Sequence, residues 1–479
     1  MNYPVWDVPT LGSGWVIGII AIFHTLISQF AVGGGLYLAL AEHKALKDGR
    51  QEWLPLLRKH AKFFLIVTGV FGAVSGVGIW FAIGLANPES TSTLIHNFVF
   101  GWAMEWVFFI IELTAAAVYY YTWGKIPNKL HNQVGWLYAI ASFFTLVIIN
   151  GILTFMLTPG DAWIEVAGTG AEASRFWQAF FNPTYFPSLF LRILVCISLA
   201  GIWALLSYSQ MNEQPQTKAE MITWSSKWLI PSFVFMPIFF AWYLISIPEV
   251  NRQLLQFGIS TIGSGAFTQV TRISLVIVMT TATIVGVVYF FVRRAPEDFS
   301  FGHGVAVLLL ALVANGSAEY ARETLRKPYS IARHMYSNGI RQASVAQINQ
   351  DGYLTKSHWT RRAEGDSQSP EVILAKGEAM FRGQCLSCHT ETGYRAMKKY
   401  LTGRSNESIA NLMKTLHDYK SDSPYRAYMP QLAGKSDEVA ALSDYLDYRV
   451  NGKTSRIAEL IKARESGENA KGEKIVEAR

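Results

Sequence analysis

Apolar residues in this chain come in long unbroken runs rather than in the short alternations of a soluble core. Eight such runs, at roughly 16–40, 62–86, 98–123, 133–157, 187–208, 225–247, 272–292 and 303–320, are each long enough to cross a bilayer as one helix. Residues 326–479 are polar and charge-rich, and their apolar positions recur at the spacing of amphipathic helices. The pattern predicts an all-α chain: a polytopic transmembrane helical bundle over 1–325, an extracytoplasmic linker over 326–370, a small helical domain over 371–455 and a charged tail over 456–479. The N-terminus carries neither a basic leader nor a small-residue cleavage site, so the first helix is expected to be retained.

Charge then orients the bundle. The first, third, fifth and seventh connections carry Lys44, Lys47, Arg50, Arg58, Lys59, Lys62, Lys125, Lys129, Lys218, Lys227, Arg293 and Arg294. The second, fourth and sixth carry only Arg175 and Arg252, before Arg272 opens the seventh span. Lys and Arg gather on the cytoplasmic side, so both chain ends are expected on the opposite, periplasmic side of a bacterial inner membrane. The net charge of +7 is thus a matter of topology, and no nucleic-acid partner is implied.

The three cysteines divide into two kinds. Cys196 lies in the apolar run LVCISLAG, where a lone thiol acts as a small core hydrophobe. Cys385 and Cys388 belong to Cys-Leu-Ser-Cys-His, the attachment pattern for c-type haem. Two thiols at that spacing add to the two haem vinyl groups, and His389 next to them becomes an iron ligand. Half of a zinc site would need a second Cys or His pair downstream, and none follows. Met429, in Tyr-Met-Pro-Gln, is the candidate opposite ligand, and thioether ligation raises the potential of an electron carrier. These residues and their flanking helices resemble a class I cytochrome c module over about 370–452. Attachment of this haem occurs outside the cytoplasm, the side that the charge count assigns independently.

Within the spans, ionisable residues are expensive and mark function. His24 is the one histidine well inside a span, whereas His43, His60, His96, His131 and His303 are expected at hydrated span ends. Glu105 and Glu112 stand two helical turns apart on nearly one face of the third span, about 10 Å apart along the axis. Metal or proton work is expected of these three. Trp15, Trp80, Trp102 and Tyr119 read as interfacial anchors, and Gly33-Gly34-Gly35 as close helix packing or room for a porphyrin face.

These residues also carry a resemblance. FHTLISQFAVGGGLYLALAEHKA, with His24, Gly33 and Glu42, is similar to the first helix of subunit I of the cytochrome bd oxidases. The likeness continues through Glu105, Glu112, Asn150-Gly151 and NPTYFPSLFLRIL to GSAEYARETLRKPYS. It implies haem b and/or haem d in the membrane part, with His24 an axial ligand at the oxygen site and Glu105 and Glu112 serving as ligand and proton path. The two glutamates are one residue closer together than in the family, which leaves their division of labour open. Arg272 also matches. The family's low-spin haem ligands do not: Leu191-Arg192 and Ser274 stand at those positions, and the connection at 248–270 is too short for a quinol domain. Leu312 and Asn315 occupy the region of a further ligand, and Glu319 is expected nearer the surface. The resemblance therefore points to a branch lacking the quinol site, paired with a second membrane subunit of subunit-I or subunit-II type. A periplasmic cytochrome c or other donor would feed oxygen reduction through the fused haem c. A conduit passing electrons between periplasmic cytochromes and membrane partners, without oxygen reduction, is the alternative.

Overall fold

The computed structural model describes residues 5–211, 214–249, 252, 269–356 and 369–465. Eight helices among them are long and apolar enough to cross a membrane: Ser13–Lys47, Trp53–Ala86, Val99–Tyr121, Asn128–Phe155, Tyr185–Ser209, Pro215–Ser246, Thr271–Val292 and Phe301–Arg326. They are numbered here as spans one to eight. Each covers its expected apolar run to within two residues at either end, because in a bilayer only a helix satisfies its own backbone. The chain divides into two compact units, a membrane unit of 19–80 and 94–326 and a terminal unit of 1–18, 81–93 and 327–479.

In the membrane unit, small residues set how closely the helices approach. A Cβ on Gly33 would stand 1.9 Å from the Cys196 carbonyl oxygen of span five, and one on Gly35 2.1 Å from the Tyr138 ring of span four. Gly34 faces the Phe30 and Phe64 rings. The glycine triplet is therefore a packing surface against protein, and Cys196 is buried beside it. Spans three and four pack along each other, as do seven and eight, while span five touches spans two, four, six and eight. Span two includes a π-helical stretch at Val67–Gly72.

Two histidines depart from expectation. His131 is buried, its Nδ1 2.6 Å from Glu42 Oε1 and its Nε2 2.7 Å from the Tyr119 carbonyl oxygen. The Tyr119 hydroxyl donates to Glu42 Oε2 at 3.0 Å, and Asn132 Nδ2 donates to the same oxygen at 3.3 Å. Tyr119 is thus a buried strut between helices, not an interfacial anchor. His60 is wholly buried among Phe30, Tyr37, Phe63 and Tyr208, and neither ring nitrogen has a partner. Helix packing overrides position along the span in both cases. A residue one or two turns from a helix end escapes water when neighbouring helices cover it.

The terminal unit is built on two crossing helices, Pro370–Gln384 and Ser436–Asn451. They touch at Gly377, where a Cβ would lie 2.2 Å from the Ala441 carbonyl oxygen and 2.3 Å from Tyr445 Cβ. Met380, Phe381, Leu386, Leu401, Ile409, Met413, Leu432, Leu442 and Leu446 fill the core between these helices and Asn406–Asp418. The expected linker is corrected for residues 327–356, which fold: strands Tyr329–Ile331 and Met335–Tyr336 pair, and helix Val345–Asp351 follows. The Glu438 carboxylate accepts from the backbone N–H groups of Tyr353, Leu354 and Lys435, each at 2.8 Å, and ties this segment to the helical core. Residues 357–368 of that stretch, most of the connection at 248–270 and the tail beyond 465 lie outside the described residues; the tail begins with helix Arg456–Glu465.

Candidate functional site

The Cys385-Leu386-Ser387-Cys388-His389 motif sits where the first core helix ends. Cys385 follows Gln384 as the helix cap, and the N–H groups of Cys388 and His389 both reach the Cys385 carbonyl, at 3.0 and 2.9 Å. One turn therefore presents two unpaired, half-buried thiols and the histidine together. Burial pushes the Cys385 thiol up to about 12.

His389 is held by its other nitrogen. Nδ1 lies 3.0 Å from the Arg395 carbonyl oxygen, which can only accept, so Nδ1 carries the proton. Nε2 is left with a lone pair, the form a metal needs. Burial lowers the imidazole pKa, which also favours the neutral ring. Arg395 achieves this with a left-handed backbone, φ 48°. Met429 is half-buried on the loop after the third core helix. Its carbonyl accepts from the Tyr419 hydroxyl at 2.8 Å, and nearby His417 Nδ1 contacts the Leu432 carbonyl at 3.0 Å, so this loop is anchored on both sides.

In the membrane unit, His24 is oriented by the same device. Its Nδ1 is 3.0 Å from Ser75 Oγ. The Ser75 hydroxyl donates its own hydrogen to the Phe71 carbonyl at 2.6 Å, so it accepts from the ring. Nδ1 is again the protonated nitrogen and Nε2 is free. Gly76 makes room, since a Cβ there would stand 3.3 Å from His24 Cε1. Ser75 and Gly76 follow the π-helical stretch of span two, a distortion frequent at functional sites. Neither residue stands out in the sequence, where AVSGVG reads as ordinary small-residue packing.

Glu112 is buried on span three with Oε1 unpartnered, and Glu105 is half-buried two turns away. Glu112 faces span four. Among the described residues, no hydrogen bond or ring contact joins His24 to either glutamate. Arg272 is exposed on span seven. Arg192 has a buried Nε without a partner, and Glu319 accepts from Arg322 at 2.7 and 3.0 Å. Asn315 Nδ2 donates to Thr25 Oγ1 at 3.2 Å, one residue from His24.

This chain matches the family model described as cytochrome bd terminal oxidase subunit I over residues 13–246. The match covers a little under half of the chain. A curated relative, subunit 1 of the cytochrome bd-II ubiquinol oxidase of Escherichia coli (strain K12), is 26% identical over 182 residues. That match spans 37% of this chain and 35% of the relative, about a third of the relative's length. The solved bd oxidase of Geobacillus thermodenitrificans superposes with a TM-score of 0.54 at 15% identity, over 67% of this chain and 89% of that one. That likeness shows the shared helical-bundle fold. The matched segment ends with span six, so residues 327–479 of the terminal unit lie beyond it.

Proposed function

We propose that this chain is the haem-carrying subunit of a bd-type oxygen reductase that receives its electrons through a covalently bound haem c. Cys385 and Cys388 would hold that group by thioether bonds, with His389 and Met429 as its axial ligands. His24, with Glu105 or Glu112, would hold haem b or haem d in the membrane unit, with Arg272 at its edge. The domain division follows: a membrane haem domain over 1–325 and a cytochrome c domain over 371–455, both chain ends on the periplasmic side of a bacterial inner membrane. A second membrane subunit would cover part of the exposed apolar helix surface, and a periplasmic cytochrome c or similar donor would reduce the chain.

The observation that carries this reading is the state of two histidines. In each unit a ring is tied through Nδ1–H to a fixed acceptor and offers a bare Nε2. Buried histidines kept for packing have no need of that one-sided arrangement. Haem iron supplies reversible one-electron chemistry and a position for dioxygen. The chain's residues orient the ligands, exclude water and hold protons: the buried, partly unsatisfied Glu112 suits a proton-carrying role on the side of span three shared with Glu105.

A reduced-minus-oxidised spectrum of the purified complex, with and without carbon monoxide, tests this. The expected result is a c-type band plus a carbon-monoxide-sensitive haem that disappears in His24→Ala. The conduit reading, favoured by the engagement of Glu319 with Arg322 rather than with a ligand site, expects the c-type band and no carbon monoxide response.

A further inference from the structure

Directly after the attachment motif the surface turns cationic. From Thr392 to Asn406 the chain carries Arg395, Lys398, Lys399 and Arg404 and no Asp or Glu. The short helix Met397–Leu401 fixes how they are displayed. Leu401 is buried in the core and Met397 packs against it, which turns Lys398, Lys399 and Tyr400 outward. Glu391, just before this stretch, is occupied by Arg449 and the Tyr445 hydroxyl, and the next carboxylate along the chain is Glu407, after Arg404.

Tyr400 is the unusual member. It is 53% exposed, outside every span, so lipid tails do not account for its apolar ring. Its ring stands edge-on to the His389 imidazole, centroids 5.8 Å apart. A solvent-facing tyrosine on a stretch with two exposed lysines and an exposed arginine suits an electrostatically complementary contact surface, and this one abuts His389.

We propose that Tyr400, Lys398, Lys399 and Arg404 form the docking face for an acidic one-electron carrier protein. This rests on the haem c reading above and names the chemistry of its donor. In each encounter one electron would leave the reduced carrier, oxidising it by one equivalent, and reduce the haem c that Cys385, Cys388 and His389 would hold; no bond forms or breaks and no proton moves. The positive face raises the encounter rate of an acidic partner and repels a basic one. Steering of this kind weakens as added salt shortens the screening length.

The test uses the purified complex and two small reductants of opposite charge, ferrous EDTA (anionic) and hexaammineruthenium(II) (cationic). The expected stopped-flow result is an anionic rate that falls about tenfold between ~10 mM and ~300 mM salt, with the cationic rate rising. Lys398→Glu/Lys399→Glu, two exposed changes that leave the core alone, should reverse both trends. By calorimetry, a poly-glutamate peptide should bind the wild-type chain and fail to bind the variant. Rates with the same salt response in wild type and variant would overturn the proposal. So would loss of the ferrous EDTA response in nanodiscs of phosphatidylglycerol but not phosphatidylcholine, which would assign the patch to lipid headgroups. Peptide binding needs no haem, so a missing pyridine haemochrome band would count against the haem c reading while the peptide arm still decides the docking face.

Discussion

Gly33→Ala is the sharpest test of how the membrane unit is held together. The added Cβ would stand 1.9 Å from the Cys196 carbonyl oxygen and 2.5 Å from its carbon. Both are backbone atoms of span five, so no rotamer change relieves the clash. An ordinary closest approach is about 3.2 Å, so spans one and five must part by roughly 1.3 Å, the difference from 1.9 Å. Parting also loosens the Gly34 and Gly35 contacts, so the cost belongs at or above the upper end of the overpacking range, about 3 kcal/mol. Cys196 reports the opening directly. It is buried at the contact, and once Cys385 and Cys388 carry the proposed haem c it is the one thiol of the three left free. If labelling proceeds through local opening, about 3 kcal/mol corresponds to roughly a hundredfold faster reaction with a maleimide dye in detergent. Gly286→Ala, in span seven with nothing within 4 Å of the added Cβ, is the control and should leave labelling unchanged. Equal labelling rates in the two variants would refute the account of the glycine triplet.

Other perturbations probe individual bonds. Ser75→Ala removes the acceptor that orients His24 and should lower haem b content of the purified complex about tenfold at limiting haem; unchanged content by pyridine haemochrome would show that the ring needs no orienter. Met429→His should lower the midpoint potential of the c-type band in a redox titration, since imidazole replaces thioether; an unmoved potential would remove Met429 from the ligand set. Glu438→Ala leaves three backbone N–H groups without their acceptor and should cost about 2–3 kcal/mol, read as earlier loss of the c-type Soret band in a denaturant titration. Glu42→Ala strips buried His131, Tyr119 and Asn132 of their shared acceptor and should cost about 3–5 kcal/mol; a yield of folded complex equal to wild type would show the cluster to be dispensable.

The eight spans and the grouping of Cys385, Cys388 and His389 were legible in the chain because both are local. A run of about twenty apolar residues has one solution in a bilayer, and two cysteines with a histidine place three reactive groups on one turn whatever surrounds them. His24, Glu105 and Glu112 could be named from the sequence because charge inside an apolar run is conspicuous. Their partners could not. Ser75 becomes the His24 acceptor only because span two lies against span one there, and Arg395 serves His389 through a carbonyl that every residue possesses. Position along a span also misled at His60 and His131, because burial depends on which helices lie alongside. Residues 327–356 read as a linker since their ordering depends on Glu438, more than eighty residues away, accepting two of their N–H groups. Local chemistry is written in the sequence, whereas the satisfaction of each buried polar atom is settled only when distant segments meet.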